Sequence, residues 1–276
     1  MQRINRLLQI EWLKLKDYRP FWIILIMYGV CFLITTCGGM LFLRFLKKQG
    51  ADFEGLDPTI LPLYDFPDLW QHMAYLGSFC KVILAFVVVI SVANEENFRT
   101  LRQNIIDGLT KQEWWLSKML LILGLSLGGT ILLFLAGMMM GLIYSHPEGY
   151  RHIFDCLDML AAFFLVLVTY LTFSFWITLL IPKVGLVIVG LFLYTIMFEP
   201  FLALFLENVP QVPAYIKSVV PCFPVRSLYY LIPVPFPKFL LMEYRDFVPT
   251  KEIFIVLGWL IINLYLSHLI LRRKDW

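Results

Sequence analysis

The chain has 276 residues, of which 60% are hydrophobic and only 16% charged, with a mean hydropathy of +0.76 and a formal net charge of +3. A soluble domain carries roughly 25% charged residues, so this apolar excess requires lipid as solvent and excludes an ordinary water-soluble domain. The basic residues sit at the ends of apolar runs rather than in a patch long enough to follow a nucleic-acid backbone, which argues against nucleic acid as a partner.

From the N-terminus, residues 2–17 place Ile4, Leu7, Leu8, Trp12 and Leu15 on one helical stripe, with Arg3, Arg6, Lys14 and Lys16 largely outside it. The pattern predicts an interfacial amphipathic helix, with Trp12 at the headgroup boundary and Lys14 and Lys16 suited to an anionic leaflet. A basic segment that only sets topology is the alternative. Residues 1–20 are too polar, and too rich in Glu, Asp and Lys, for a cleaved signal peptide, so insertion is expected to begin with the first span.

Crossing about 30 Å of hydrocarbon takes about 20 mainly apolar residues. Six runs qualify, at 21–43, 69–94, 117–144, 157–181, 184–206 and 252–271. None alternates in polarity as a barrel strand does, so the expected fold is all-α, a single polytopic transmembrane domain over 1–276 with six transmembrane helices. The five cysteines (Cys31, Cys37, Cys80, Cys156, Cys222) are scattered without C-x-x-C spacing and read as small core hydrophobes.

Between the first two runs, residues 44–73 carry Asp52, Glu54, Asp57, Asp65 and Asp68 and predict a solvated loop, with Asp68 capping the second span. Between the second and third runs lies a short charged segment, 95–113. Glu95 and Glu96 stand at the mouth of the second span, where pairing with Arg99 or Arg102 would fix the angle between the spans. Leu101, Ile105 and Leu109 make a narrow apolar edge flanked by Arg102, Gln103, Asp107 and Lys111. Such a helix would lie along the membrane and offer a mixed face to a soluble partner; a loop kept charged only for topology is the alternative. Asp107-Gly108 favours a turn, and Thr110-Lys111-Gln112-Glu113 fits a capping box that starts the third span near Lys111.

Pro182 predicts a tight hairpin between the fourth and fifth runs. Residues 207–251 hold eight prolines interleaved with aromatic residues, including Phe223, Tyr229 and Tyr230. Proline forbids a long helix there, while the apolar content resists solvation. Short re-entrant helices before the last span are expected, with an ordered external loop as the alternative. Most basic residues near span ends, from Arg3 through Lys118 and Lys183 to Lys274, fall on one side, which predicts a cell-membrane protein with both termini cytoplasmic.

Ionisable residues inside spans are functional candidates by default. Lys81 and Glu199 fall at comparable depth and either form an intramembrane ion pair or leave Lys81 to snorkel to the headgroups. Glu199-Pro200 also predicts a kink in the fifth span. The four histidines lack H-E-x-x-H spacing, so no metal site is predicted. Glu95-Glu96 followed by Arg99 resembles part of the CAAX-type membrane protease motif, but the arginine comes one residue early and the histidine motifs are missing. No catalytic residue and no bound cofactor is expected of the chain.

Acidic residues closing the second span, then Arg99-Thr100-Leu101-Arg102, Gly108-Leu109-Thr110-Lys111 and Lys118, together resemble the type-2 ABC transporter permease family. Ile10-Glu11-Trp12-Leu13-Lys14-Leu15-Lys16 and Leu271-Arg272-Arg273-Lys274 are similar to that family too. The chain departs from it in having Arg99 where glycine is frequent and Asp107-Gly108 in place of a proline-containing turn. The resemblance implies the permease subunit of an exporter, with residues 1–20 as a cytoplasmic connecting helix and 95–113 as the coupling loop. Glu95, Glu96, Arg99, Thr100, Leu101, Arg102 and Asp107 would then couple to an ABC ATPase subunit that holds ATP and Mg. A second permease chain, the same or a paralogue, is implied as well. No G-x-x-x-x-G-K-[ST] loop occurs in the sequence, so the ATPase would be supplied by another chain. The rival classes are an ATP-independent secondary transporter, for which matching repeats are missing, and an integral membrane enzyme.

Overall fold

The computed structural model describes residues 2–48, 64–98, 100–106, 108–147, 149–209, 212–235 and 247–274. Among them there is no strand, and five helices plus one bent pair are long and apolar enough to cross a membrane. The chain is an all-α, multi-pass membrane protein.

The first helix, α1 (Gln2–Lys16), has two faces rather than the single expected stripe. Leu7, Glu11 and Leu15, one turn apart in succession, are buried against the bundle, whereas Ile4, Leu8 and Trp12 are exposed. A helix lying between protein and bilayer needs an inner face and a lipid-compatible outer one. The next helix, α2 (Arg19–Cys37), stops six residues before the predicted end of the first run, and α3 (Gly39–Lys48) follows a break at Gly38. Tyr64 sits in that break. Its hydroxyl donates to the Thr36 carbonyl at 2.8 Å and accepts from the Gly39 N–H at 3.1 Å. Tyr64 and Phe66 are buried, so the last part of 44–73 is packed rather than solvated. Asp52, Glu54 and Asp57 lie outside the described residues.

The second span is α4 (Leu69–Ser78) and α5 (Lys81–Asn97), bent by 46° at Phe79-Cys80. Asp68 does not cap α4 through its side chain; backbone turns from Asp65 and Asp68 carbonyls to Leu69 and His72 amides start the helix instead. The short α6 (Thr100–Ile106) precedes α7 (Lys111–Tyr144). Gly108 adopts φ +97°, a conformation only glycine holds without strain, and the Thr110–Glu113 capping box forms as predicted. At 1.5 Å per residue, α7 is about 51 Å long and outruns a hydrocarbon layer about 30 Å thick, so its ends reach beyond the layer.

Helix α8 (Asp158–Leu180) is the centre of the bundle, with 67% of its apolar window buried against 33% or less in the other long spans. A three-residue turn containing Pro182 joins it to α9 (Val184–Leu193), as the hairpin expectation requires. The fifth span continues through a π-helical turn (Tyr194–Phe198) into α10 (Glu199–Asn208). Pro200 cannot donate to the carbonyl four residues back, and the wider π turn absorbs the misfit. Proline-broken short helices then follow, α11 (Ala214–Val219), a 3-10 turn (Val220–Cys222) and α12 (Arg226–Leu231), before the last span, α13 (Thr250–Arg273). The Trp259 indole of α13 donates to the Cys222 carbonyl at 2.8 Å, and Gln71 of α4 donates to the Pro233 carbonyl at 3.0 Å. These bonds seat the short helices on the bundle.

Candidate functional site

Two polar constellations stand out, one at each end of the bundle. At the end where α1 and the close of α13 meet, Lys118 of α7 is fully buried one turn beyond Trp114. Its ammonium donates to Glu11 Oε2 at 2.8 Å, Glu95 Oε1 at 2.6 Å and Ser91 Oγ at 2.9 Å, which uses all three of its hydrogens. The carboxylates are held in turn. The Trp114 indole donates to Glu95 Oε2 at 2.7 Å, the Ser117 hydroxyl to Glu11 Oε1 at 2.9 Å, and Lys14 to Glu95 Oε1 at 3.1 Å. Two carboxylates and two ammonium groups make the cluster formally neutral, which is the condition for burying charge without a large desolvation loss.

The local sequence explains the geometry. Glu11 occupies the middle of the buried Leu7–Leu15 stripe of α1, so the helix cannot pack without bringing a carboxylate inside. Glu95 ends α5 on the face toward α7, and the capping box at Thr110 fixes where Trp114, Ser117 and Lys118 fall on the following turns. Lys14, read from the sequence as facing an anionic leaflet, instead closes the cluster. Lys16 lies 3.8 Å from Asp17, and Trp12 is exposed and meets Trp22 edge-on at 6.2 Å between ring centres.

The segment between the second and third spans joins the same assembly. The Thr100 hydroxyl donates to the Glu95 carbonyl at 3.2 Å, so the start of α6 is tied to the end of α5. Glu96 pairs with Lys274, and Lys111 donates to the Lys274 carbonyl at 2.7 Å, which brings in the chain's last helix. Arg102 is exposed. Arg99, Asp107 and the side chain of Leu101 lie outside the described residues. The predicted partner of Glu95 was Arg99 or Arg102; the acidic group is held by Lys118 and Lys14.

At the opposite end, Lys81 and Glu199 approach the same aromatic region without meeting. Lys81 donates to the Ser78 carbonyl at 3.0 Å, one of the carbonyls freed by the bend in the second span, and its ammonium sits 3.9 Å from the Tyr229 ring centre. Glu199 Oε1 accepts from the backbone N–H groups of Val225, at 2.8 Å, and Arg226, at the start of α12. No ion pair within 4.0 Å joins Lys81 to Glu199, and Lys81 is buried rather than snorkelling. The Arg226 guanidinium reaches both oxygens of Glu207, at 2.7 and 2.8 Å, and so links α12 to α10.

The sequence reading quoted Glu11 and Lys118 in the family resemblance, and Lys118 also for topology, but placed neither among the site residues. The available signal was a lone carboxylate at i+4 between two apolar residues of an amphipathic helix. Among the described residues, no group of three or more His, Cys, Asp or Glu side chains is placed to hold a metal. What the cluster can do is mechanical: it ties α1, α5, α6, α7 and the end of α13 into one block. No protein-family model matches the chain, and no curated protein matches it either.

Proposed function

We propose that the chain is the permease subunit of an ATP-driven exporter of the type-2 ABC permease kind, working with a separate ATPase chain and a second permease chain. Both termini are cytoplasmic in this reading, α1 is the connecting helix, α6 the coupling helix, and α11 and α12 are re-entrant elements. The observation that carries it is the Glu11–Lys118–Glu95 cluster. A rigid charged block beneath the bundle, joined through Thr100 to a short helix between two long spans, is what a lever worked from below requires. Closure of the ATPases would displace α6, and the buried ion pairs would pass the displacement to α1, α5 and α7 together, so that whole spans tilt. ATP and Mg stay on the partner, and this chain supplies no ATPase site.

The test is to express the tagged chain with its neighbouring genes, extract it in mild detergent, and assay ATP hydrolysis with and without Arg99→Glu. An equimolar soluble ATPase, lost or uncoupled in the variant, supports the proposal. A chain that purifies alone and is indifferent to Arg99→Glu rejects it. In that case the second reading, an ATP-independent secondary transporter, gains from the buried Lys81 and Glu199 within the spans.

A further inference from the structure

A cavity of about 500 Å³ opens between α4, α10 and α12, and its wall is aromatic. Tyr75 and Phe79 lie one turn apart at the end of α4 with ring centres 5.5 Å apart, edge to face, and Phe79 meets Tyr229 of α12 at 5.6 Å. The hydroxyls of Tyr75, Thr195, Tyr229 and Tyr230 belong to its lining. Thr195 is bonded to Tyr170 at 2.7 Å, and the Tyr230 oxygen accepts from Arg226 at 3.0 Å, so these two are taken by the protein. Tyr75 and Tyr229 are half-buried, and their hydroxyls make no hydrogen bond within the described residues while keeping accessible surface. A phenol left open in an apolar recess calls for an acceptor from outside the chain.

The surroundings narrow what carries that acceptor. Lys81 is fully buried and is not part of the cavity wall, so its ammonium, 3.9 Å from the Tyr229 ring centre, lies behind that ring. A cation on the face of a phenol draws electron density from the oxygen, which makes the O–H a stronger donor and a poorer acceptor. No free charge is offered to a ligand. Glu199 is only 2% exposed and bound to the α12 amides, and Arg226 is held by Glu207. An ion entering the cavity would lose its water without meeting a counter-charge, so the occupant is uncharged. Its body must suit aromatic walls, against which a planar ring system stacks or meets edge-on. The mouth is formed by the exposed side chains of Phe79, Ile196 and Val234, so entry is from an apolar medium.

We infer that this cavity binds an uncharged, planar aromatic molecule bearing a carbonyl-type acceptor. The molecule enters from the bilayer, packs against Phe79 and Tyr229, and accepts hydrogen bonds from the Tyr75 and Tyr229 hydroxyls. Binding requires no ATPase, so the site stands apart from the permease proposal.

The experiment uses the purified full chain in phosphatidylcholine nanodiscs, without any partner. Benzophenone, an uncharged diaryl ketone that inserts into nearby C–H bonds on illumination, marks the site, and peptide mass spectrometry reads the labelled residues. Label is expected on the cavity wall and at its mouth. Competition then separates ring from carbonyl, because fluorenone is planar with one carbonyl and fluorene has the same frame without it. With concentrations referred to the bilayer phase, fluorenone should displace the label at about fivefold lower concentration than fluorene, the size of one neutral hydrogen bond. Fluorenone carrying a carboxylate should compete less well than fluorenone. Tyr75→Phe combined with Tyr229→Phe removes both open hydroxyls but no bond within the protein. That variant should keep the parent's melting temperature, lose the preference for fluorenone and leave displacement by fluorene unchanged. Phe79→Ala, at the mouth, should weaken both competitors alike and leave the preference intact. Label scattered over the lipid-facing spans, equal competition by fluorenone and fluorene on the unmodified chain, or an undiminished preference in the double variant overturns the inference. Displacement by the carboxylate as good as by fluorenone overturns the assignment to an uncharged ligand. If the double variant melts more than a few degrees below the parent, the competition on the unmodified chain decides.

Discussion

Lys118 is the residue on which most else at the terminal end depends. It is fully buried and bonded to two carboxylates from two other helices, so removing it leaves Glu11 and Glu95 with only the part-exposed Lys14 between them as counter-charge. Lys118→Met is expected to destabilise the chain by about 3–5 kcal/mol, the range for breaking a buried pair from one side. Adding Glu11→Gln and Glu95→Gln to Lys118→Met should recover much of that loss, because the charge then left in the cluster is Lys14, whose side chain is part-exposed and can turn to water. Thermal unfolding of the purified variants measures both, and a single variant as stable as the parent would remove the cluster from the account. Two glycines of α7 give a second contrast. A Cβ on Gly137 would meet the Trp70 ring, whereas one on Gly124 meets nothing within 4 Å. Gly137→Val should therefore cost about 1–3 kcal/mol through overpacking, while Gly124→Ala should be neutral or stabilising by about 0.5–1 kcal/mol through the helix backbone. The same unfolding measurement separates them.

At the scale of elements, helix starts are decided by a few side chains and helix breaks by what catches the freed backbone. Thr110 and Glu113 satisfy each other's amides at the start of α7, and Thr110→Val should cost about 1 kcal/mol, read as a lower unfolding temperature. The breaks in the first, second and fifth spans use three different devices: the Tyr64 hydroxyl, the Lys81 ammonium and a π turn ahead of Pro200. Restoring an N–H with Pro200→Ala lets the fifth span revert to regular α-helix. Spin labels at the exposed positions Leu186 and Phe205 should then report a changed separation by electron–electron distance measurement, and an unchanged distance would show that surrounding packing, not proline, holds the π turn. Capping was legible beforehand because Thr-x-x-Glu is a local pattern. The Tyr64 catch was not, since it joins residues 28 positions apart in the chain.

For the whole molecule, contacts of Glu11 with Lys118 and of Lys274 with Glu96 bring both ends of the chain to one end of the bundle. Which side of the membrane that end faces follows, in the proposed reading, from its basic residues. In a cysteine-free background, a membrane-impermeant maleimide added to intact cells should label Pro147→Cys and spare Leu109→Cys until the membrane is opened. The reverse pattern would invert the topology and with it the permease proposal, since an ATP-hydrolysing partner needs the cytoplasm.

The sequence by itself determined that the chain is helical, that it lives in lipid, and where five of its six spans begin and end to within a few residues. Those properties depend on composition, run length, proline and capping, all of which act over a few residues at a time. Only the tertiary structure decided which charges meet. Glu11 was legible as a residue on an amphipathic helix, but its partner lies 107 positions away, and Lys14 could equally have faced lipid until the packing of α1 turned it toward Glu95. The same holds for Lys81 and Glu199, whose matching depth suggested a direct pair. Each instead has its own partners, the Ser78 carbonyl and Tyr229 ring for one and the α12 amides for the other. Depth in a membrane is one coordinate that a sequence supplies. The rotation of each helix about its axis, which sets what a buried charge touches, is fixed by packing among all of them.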